Sequence, residues 1–133
     1  MSATRTPKRK YFTEQQANAM LPLLRLILRD IATLAHSLRE QNRRLARMKE
    51  TGGSRDVEAV EAEIEGLQDQ VRPHLEELDQ LQVELKDPLT GLVDFRARKD
   101  GREVYLCWRM DEAEVAHWHE LDSGFSGRQK LNR

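Results

Sequence analysis

The sequence predicts an α+β protein, mostly α: a long antiparallel two-helix coiled-coil hairpin with a β-hairpin and a short C-terminal helix packed at its base. Three observations predict it. Two stretches carry apolar residues at alternating spacings of three and four without a slip, the heptad pattern of helices that pack along one seam. The two stretches pair with each other at a constant register. Beyond Asp87-Pro88 the period changes to two around an Asp-Gly dipeptide, the strongest short-range hairpin signal.

The first helix starts at Thr13, whose hydroxyl can cap the chain while Gln16 reaches back to it, the two halves of a capping box. Its seam runs through Ala17, Met20, Leu24, Ile27, Ile31, Leu34, Leu38, Gln41, Leu45 and Met48. After the turn signal Thr51-Gly52-Gly53-Ser54 a second seam runs through Val57, Val60, Ile64, Leu67, Val71, His74, Leu78, Leu81 and Leu85. An antiparallel pair must join positions whose numbers add to a constant, and Met48 with Val57, Leu38 with Leu67 and Met20 with Leu85 all sum to 105. That register predicts Arg44 beside Glu63 at the seam and His74 opposite Ile31, where a polar residue sets register. The heptads continue through Pro22 and Pro73, so both are expected to bend their helices without breaking them. A second apolar line at Leu21, Leu28 and Ala35 becomes Asn42 and Lys49 toward the tip. The base is therefore expected to pack against more chain and the tip to stand as a bare arm.

Leu92–Arg98 and Arg102–Met110 flank the turn. With Asp100 and Gly101 as the loop, opposed residues sum to 201. Val93, Phe95 and Ala97 then face Trp108, Leu106 and Val104 on an apolar side. Asp94, Arg96 and Arg98 face Cys107, Tyr105 and Glu103 on a polar one. The acidic residues at Asp111, Glu112 and Glu114 predict the first turn of a short helix, which ends in the glycine-punctuated loop 123–128. The domain reading is a basic arm over residues 1–12 and one domain over 13–133, made of the helical hairpin 13–86, the β-hairpin 91–110 and the C-terminal helix and loop 111–133.

Composition excludes several classes. The chain has 133 residues, 38% hydrophobic and 34% charged, with one cysteine, which allows neither an intramolecular disulfide nor a paired-cysteine zinc finger and predicts a cytoplasmic protein. The longest apolar stretch, Met20–Leu28, is interrupted by Arg25 and is about half of the roughly 20 residues a membrane span needs. The N-terminal cations have no apolar run behind them, so no signal peptide is expected. Residues 1–55 carry 12 Lys/Arg against 4 Asp/Glu, and residues 56–87 carry 2 against 11; halves of opposite sign are expected to face each other.

The densest cluster of functional side chains is Asp94, Arg96, Cys107, Arg109, His117, His119, Glu120, Asp122 and Arg128, which gather if the C-terminal segment folds back over the polar face. Two readings compete. In one, His117, His119, Glu120 and Asp122 hold a divalent transition metal, iron, manganese or zinc, in a metal-binding protein or a metal-dependent enzyme. In the other, which the sequence favours, no cofactor is bound, and His119, Glu120 and Asp122 tie down the loop through Arg128. No phosphate loop, dinucleotide fingerprint or nucleophile elbow is present, so a non-enzymatic protein-interaction or scaffold module is expected. Leu21, Leu28, Trp118 and Phe125, with Leu23, are more apolar surface than one β-hairpin covers, and this predicts a homo-oligomer interface. RNA binding through Arg5, Lys8, Arg9 and Lys10 and the tip arginines Arg39, Arg43, Arg47 and Arg55 is a third reading, opposed by Glu58, Glu61, Glu63 and Glu65 beside the tip and by the lack of interleaved aromatics.

The stretches Tyr11–Ala17, Leu21-Pro22, Lys86–Pro88, Gly91–Phe95, Leu106–Trp108 and, most specifically, Trp118–Arg128 resemble the bacterial family called domain of unknown function 2203. The resemblance spans roughly Tyr11 to Leu131 and implies a small soluble prokaryotic protein. It carries over no catalytic residue, cofactor or activity.

Overall fold

The computed structural model describes residues 8–52 and 56–131. Arg5 of the N-terminal arm, and Gly53, Ser54 and Arg55 of the tip turn, lie outside the described residues. Three helices precede five strands: α1 (Glu14–Ala19), α2 (Leu21–Glu50), α3 (Val57–Gln80), β1 (Val83–Asp87), β2 (Leu92–Lys99), β3 (Arg102–Arg109), β4 (His117–Glu120) and β5 (Gln129–Lys130). The strands form one antiparallel sheet in chain order, β1-β2-β3-β4-β5. The fold is α+β, with the two long helices packed on each other.

The capping box forms as expected: the Gln16 N–H donates to Thr13 Oγ1 and the Thr13 N–H to Gln16 Oε1, both at 3.0 Å. Pro22, however, does not bend a continuous helix. The helix breaks at Met20, and Pro22 stands in the first turn of α2, where its missing N–H has no intrahelical partner to lose. Pro73 sits inside α3, which runs on through it. Along the arms the heptad residues are the buried or half-buried ones, Leu24, Ile27, Ile31, Val60, Ile64 and Leu78 most of all. Among the described residues the ion pair that joins the arms is Lys49 with Glu61, at 3.9 Å, rather than Arg44 with Glu63.

The second helix is shorter than its heptads suggest. It stops after Gln80, Gln82 turns the chain at φ +59, and Val83–Asp87 becomes the edge strand β1. Val83 pairs with Phe95 and Leu85 with Val93, so both still face the core. Leu85 closes the heptad series and also fits the period-two alternation Val83-Glu84-Leu85-Lys86, and strand pairing takes it. Gly91, at φ +70, lies so close to Met110 that a Cβ there would stand 2.9 Å from its side chain.

The β2–β3 register is the expected one, with every pair from Leu92↔Arg109 to Lys99↔Arg102 summing to 201. Asp100 and Gly101 have φ +52 and +78, the two left-handed residues of a type I′ turn. The apolar face buries Val93, Phe95, Ala97, Val104, Leu106 and Trp108 in one cluster with Phe12, Leu21, Leu24, Leu28 and Ile31.

The expected C-terminal helix does not form. Residues 111–116 are irregular, and β4 pairs with β3 through Tyr105↔His119 and Leu106↔Trp118. The acidic residues serve the turn instead. Glu112 Oε1 accepts from the Arg109 N–H at 2.8 Å, and the Glu112 carbonyl accepts from the Trp108 indole N–H at 3.0 Å and from Arg25 at 3.1 Å. Residues 8–12 are not a free arm either: the Lys10 N–H donates to Gln82 Oε1, Gln82 Nε2 donates to the Lys8 carbonyl, and the Phe12 N–H donates to the Arg96 carbonyl. Among the described residues no helix is long and apolar enough to cross a membrane.

A candidate metal centre on the polar face of the sheet

Alternation along β2, β3 and β4 sends Asp94, Tyr105, Cys107 and His119 to the face opposite the core, and the loop after β4 folds over them. Asp94 is 3% exposed, Cys107 1% and His119 2%, a degree of burial that a carboxylate tolerates only with partners. One donor atom from each of the three lies within 4.8 Å of the others. Asp94 reaches from β2 and His119 from β4, with Cys107 on the strand between them.

The hydrogen bonds of His119 fix its orientation. Its Nδ1 lies 2.7 Å from the Glu120 carbonyl oxygen, which can only accept, so Nδ1 carries a proton. Nε2 is 3.0 Å from Asp94 Oδ2. In the neutral ring that nitrogen presents a lone pair to a carboxylate. The contact therefore needs either a proton or a cation held between the two groups. Asp94 Oδ1 is buried without a hydrogen-bond partner among the described residues, and the Cys107 thiol is the neighbouring group of this carboxylate. Burial pushes the Cys107 thiol up to about 12, with the Asp94 charge adding to the effect and Arg128 opposing it. Without a nearby cation the sulfur stays protonated, whereas a coordinated metal deprotonates a thiol outright.

A cavity of about 280 Å³ lies against all three groups and is otherwise lined by Lys86, Leu92, Tyr105, Leu121, Gly124 and Phe125. The Tyr105 ring lies tilted beside His119 with centroids 5.4 Å apart, and its hydroxyl donates to Glu84 Oε1 at 3.0 Å while accepting from Arg96 at 2.8 Å. Arg128 donates to Glu112 Oε1 at 2.7 Å and to the Cys107 carbonyl at 3.3 Å. Phe125, 43% exposed, lies under the guanidinium groups of Arg128 and Arg109 at 4.7 and 5.6 Å.

The structure thus sorts the candidate residues. Asp94, Cys107 and His119 come together; Arg96, Arg109 and Arg128 surround them. Glu120 turns away to Arg102, bonded at 2.6 and 3.1 Å, because its place in β4 puts it on the other side from His119. Asp122 is exposed. His117 stands outside the cluster, 3.8 Å from Glu112, with its pKa lowered by burial and by Arg128. The metal set His117, His119, Glu120 and Asp122 is therefore not assembled: of the four, only His119 joins the cluster. The carboxylate partner of Arg128 is Glu112, not Glu120 or Asp122. Leu21, Leu28 and Trp118 are buried within the protomer's own core, which leaves Phe125 and Leu23 of the proposed interface residues at the surface. Tyr105, Lys86 and Glu112 were not among the candidates; Lys86 was hidden by its assignment to a helix, and Glu112 by its assignment to a helix N-terminus.

No curated protein and no solved structure gives a significant match. The family model described as uncharacterised conserved protein DUF2203 matches residues 10–131, and the chain belongs to that family.

Proposed function

We propose that this protein binds one divalent transition metal through Asp94, Cys107 and His119, with zinc the best fit. The observation that carries the reading is the buried His119 Nε2–Asp94 contact at 3.0 Å, with a Cys107 donor atom within 4.8 Å and one Asp94 oxygen left without a hydrogen-bond partner beside it. A dication satisfies all of these groups at once. The Glu120 carbonyl bonded to Nδ1 is the kind of outer contact that orients metal-bound imidazoles. A thiolate in the set favours zinc over manganese, and three protein donors leave a fourth tetrahedral position open toward the cavity.

Cobalt(II) substitution tests it. Protein freed of metal by chelation should take up one equivalent of cobalt and develop a thiolate-to-metal charge-transfer band. Cys107→Ser should lose the band, and His119→Ala should lose equimolar metal. Absence of the band in the parent protein overturns the reading.

A protein-interaction role for the helical arm is a second reading, supported by the open apolar groove of Ala35, Leu38, Ala46, Pro88 and Leu89 beside Arg39 and Arg43. Sedimentation velocity tests its self-associating form: a concentration-dependent dimer that a charge at the exposed Ala46, Ala46→Glu, dissociates supports it, and a monomer at tens of micromolar removes it.

A further inference from the structure

We propose that the open position of this centre takes a small carboxylate bearing an apolar tail, with Lys86 as its counter-charge; the inference rests on the metal reading above. Asp94 and thiolate Cys107 together carry two negative charges and His119 is neutral, so a bound dication brings the centre to zero. Such a centre neither attracts nor repels an anion by its net charge, and the sign of the ligand is set by the cavity wall.

That wall is one-sided. Apart from the three metal donors, its charged residue is Lys86. The Lys86 ammonium is held 3.2 Å from Glu84, but both side chains are more than a third exposed, and an exposed pair of this kind exchanges partners at little cost. Lys86 also lines the neighbouring cleft of about 570 Å³ together with Arg9, Lys10 and Arg96, so the approach to the centre is bordered by cations, with Asp79 and Glu84 as the acids of that cleft.

The rest of the wall is apolar. Leu121 and Phe125 are 45% and 43% exposed and belong to the few large hydrophobic side chains the protein leaves in water, and both stand at this cavity with Leu92. Their exposure is unexplained by the protein's own packing. A ligand tail laid across them removes that surface from water. A cavity of about 280 Å³ admits a short-chain or single-ring acid and little more, since sites for larger ligands run to about 1,000 Å³. An acid group directed to the metal and Lys86, and a short hydrocarbon body directed to Leu92, Leu121 and Phe125, fit both halves of the wall.

The test uses the cobalt-loaded full chain and four probes: butyrate, acetate, butyramide and inorganic phosphate. Butyrate should shift the visible cobalt bands saturably, while butyramide and phosphate should leave them unchanged at the same concentrations. Lys86→Gln should weaken butyrate about tenfold at unchanged cobalt content, and Leu121→Asn should weaken butyrate while leaving acetate unaffected. Both positions are exposed, and cobalt content with circular dichroism reports whether each variant is folded. Cobalt bands that ignore butyrate, an equal response to butyramide, or a Lys86→Gln variant with parental affinity overturns the carboxylate. An equal response to phosphate overturns the apolar tail. Failure of the charge-transfer band to form at all is the separate failure of the metal reading.

Discussion

Replacing His119 by Ala separates a metal centre from a structural clasp, because the two predict different dependence on zinc. In the metal-free protein the change removes a 2%-exposed ring from its 3.0 Å contact with Asp94. Breaking a buried charged pair from one side costs about 3–5 kcal/mol, with the Asp94 carboxylate left behind in a low-dielectric site. In the zinc-loaded protein a further quantity is lost. A ligand that binds only the folded state stabilises it by about 2.7 kcal/mol at a free concentration of one hundred times Kd. Urea denaturation of parent and variant, each with and without zinc, gives four free energies. The parent should gain about 2.7 kcal/mol on zinc addition at that concentration, and the variant about zero, beyond its loss in metal-free protein. Arg128→Ala should cost about 1.5–3 kcal/mol, the range for hydrogen bonds to a charged group, and should leave the zinc gain intact. Because His119 bonds Asp94 and Arg128 bonds Glu112, the double variant should be additive to within about 0.5 kcal/mol. Equal zinc gains in parent and His119→Ala refute the centre. A coupling well above that margin between His119 and Arg128 restores the single clasp that the sequence suggests.

Further outcomes follow from other parts of the fold. Burial alone would raise the Glu112 pKa, but the Arg128 bond, the Arg109 N–H and the neighbouring positive charges hold it below the ordinary 4.5; its stabilising contribution is therefore complete above that value and lost as pH falls through the lower folded one. Glu112→Gln should accordingly flatten the acid limb of stability below about pH 4.5, measured by urea melts from pH 7 to pH 3. Gly101→Ala should cost about 1–2 kcal/mol by thermal melting, since its φ of +78 is a left-handed conformation that a Cβ penalises. Gly91→Ala adds a 2.9 Å clash with Met110 and should lose more, with partial recovery in the Gly91→Ala/Met110→Ala pair. Cysteines at Leu38 and Leu67 should crosslink readily and Leu38 with Ile64 poorly; equal crosslinking refutes the arm register.

How much of this was legible varies with how local the cause is. Asp100-Gly101 sets the β2–β3 register through two backbone angles, so the opposition of Asp94 and Cys107 could be read directly. The heptads of α2 and α3 are likewise properties of each segment. Leu85 defeats the same reasoning because it satisfies both the heptad and the alternation with Val83, and only the empty edge beside β2 decides between them. His119 is the harder case. Its neighbours Asp111–Glu114 look like a helix start when read alone, and they become turn residues because Glu112 finds Arg109, Trp108 and Arg128 elsewhere in the fold. The Asp94–Cys107 half of the site was therefore present in a local pattern, and the histidine that completes it was a candidate without a place.

The meander order of the sheet has a consequence for the time at which the protein becomes competent. Strands that pair only with their predecessors form in the order in which they are made, so Asp94 and Cys107 sit opposite each other as soon as the β2–β3 hairpin closes. His119 is translated 25 residues after Asp94, about 1–5 s later at typical elongation rates, and it is seated only when β4 docks and Gln129–Lys130 pairs behind it. Until then the nascent chain holds the carboxylate and the thiol with no imidazole beside them. The three groups meet only once β4 is docked, and a metal held by all three would mark a chain whose C-terminal strands are in place.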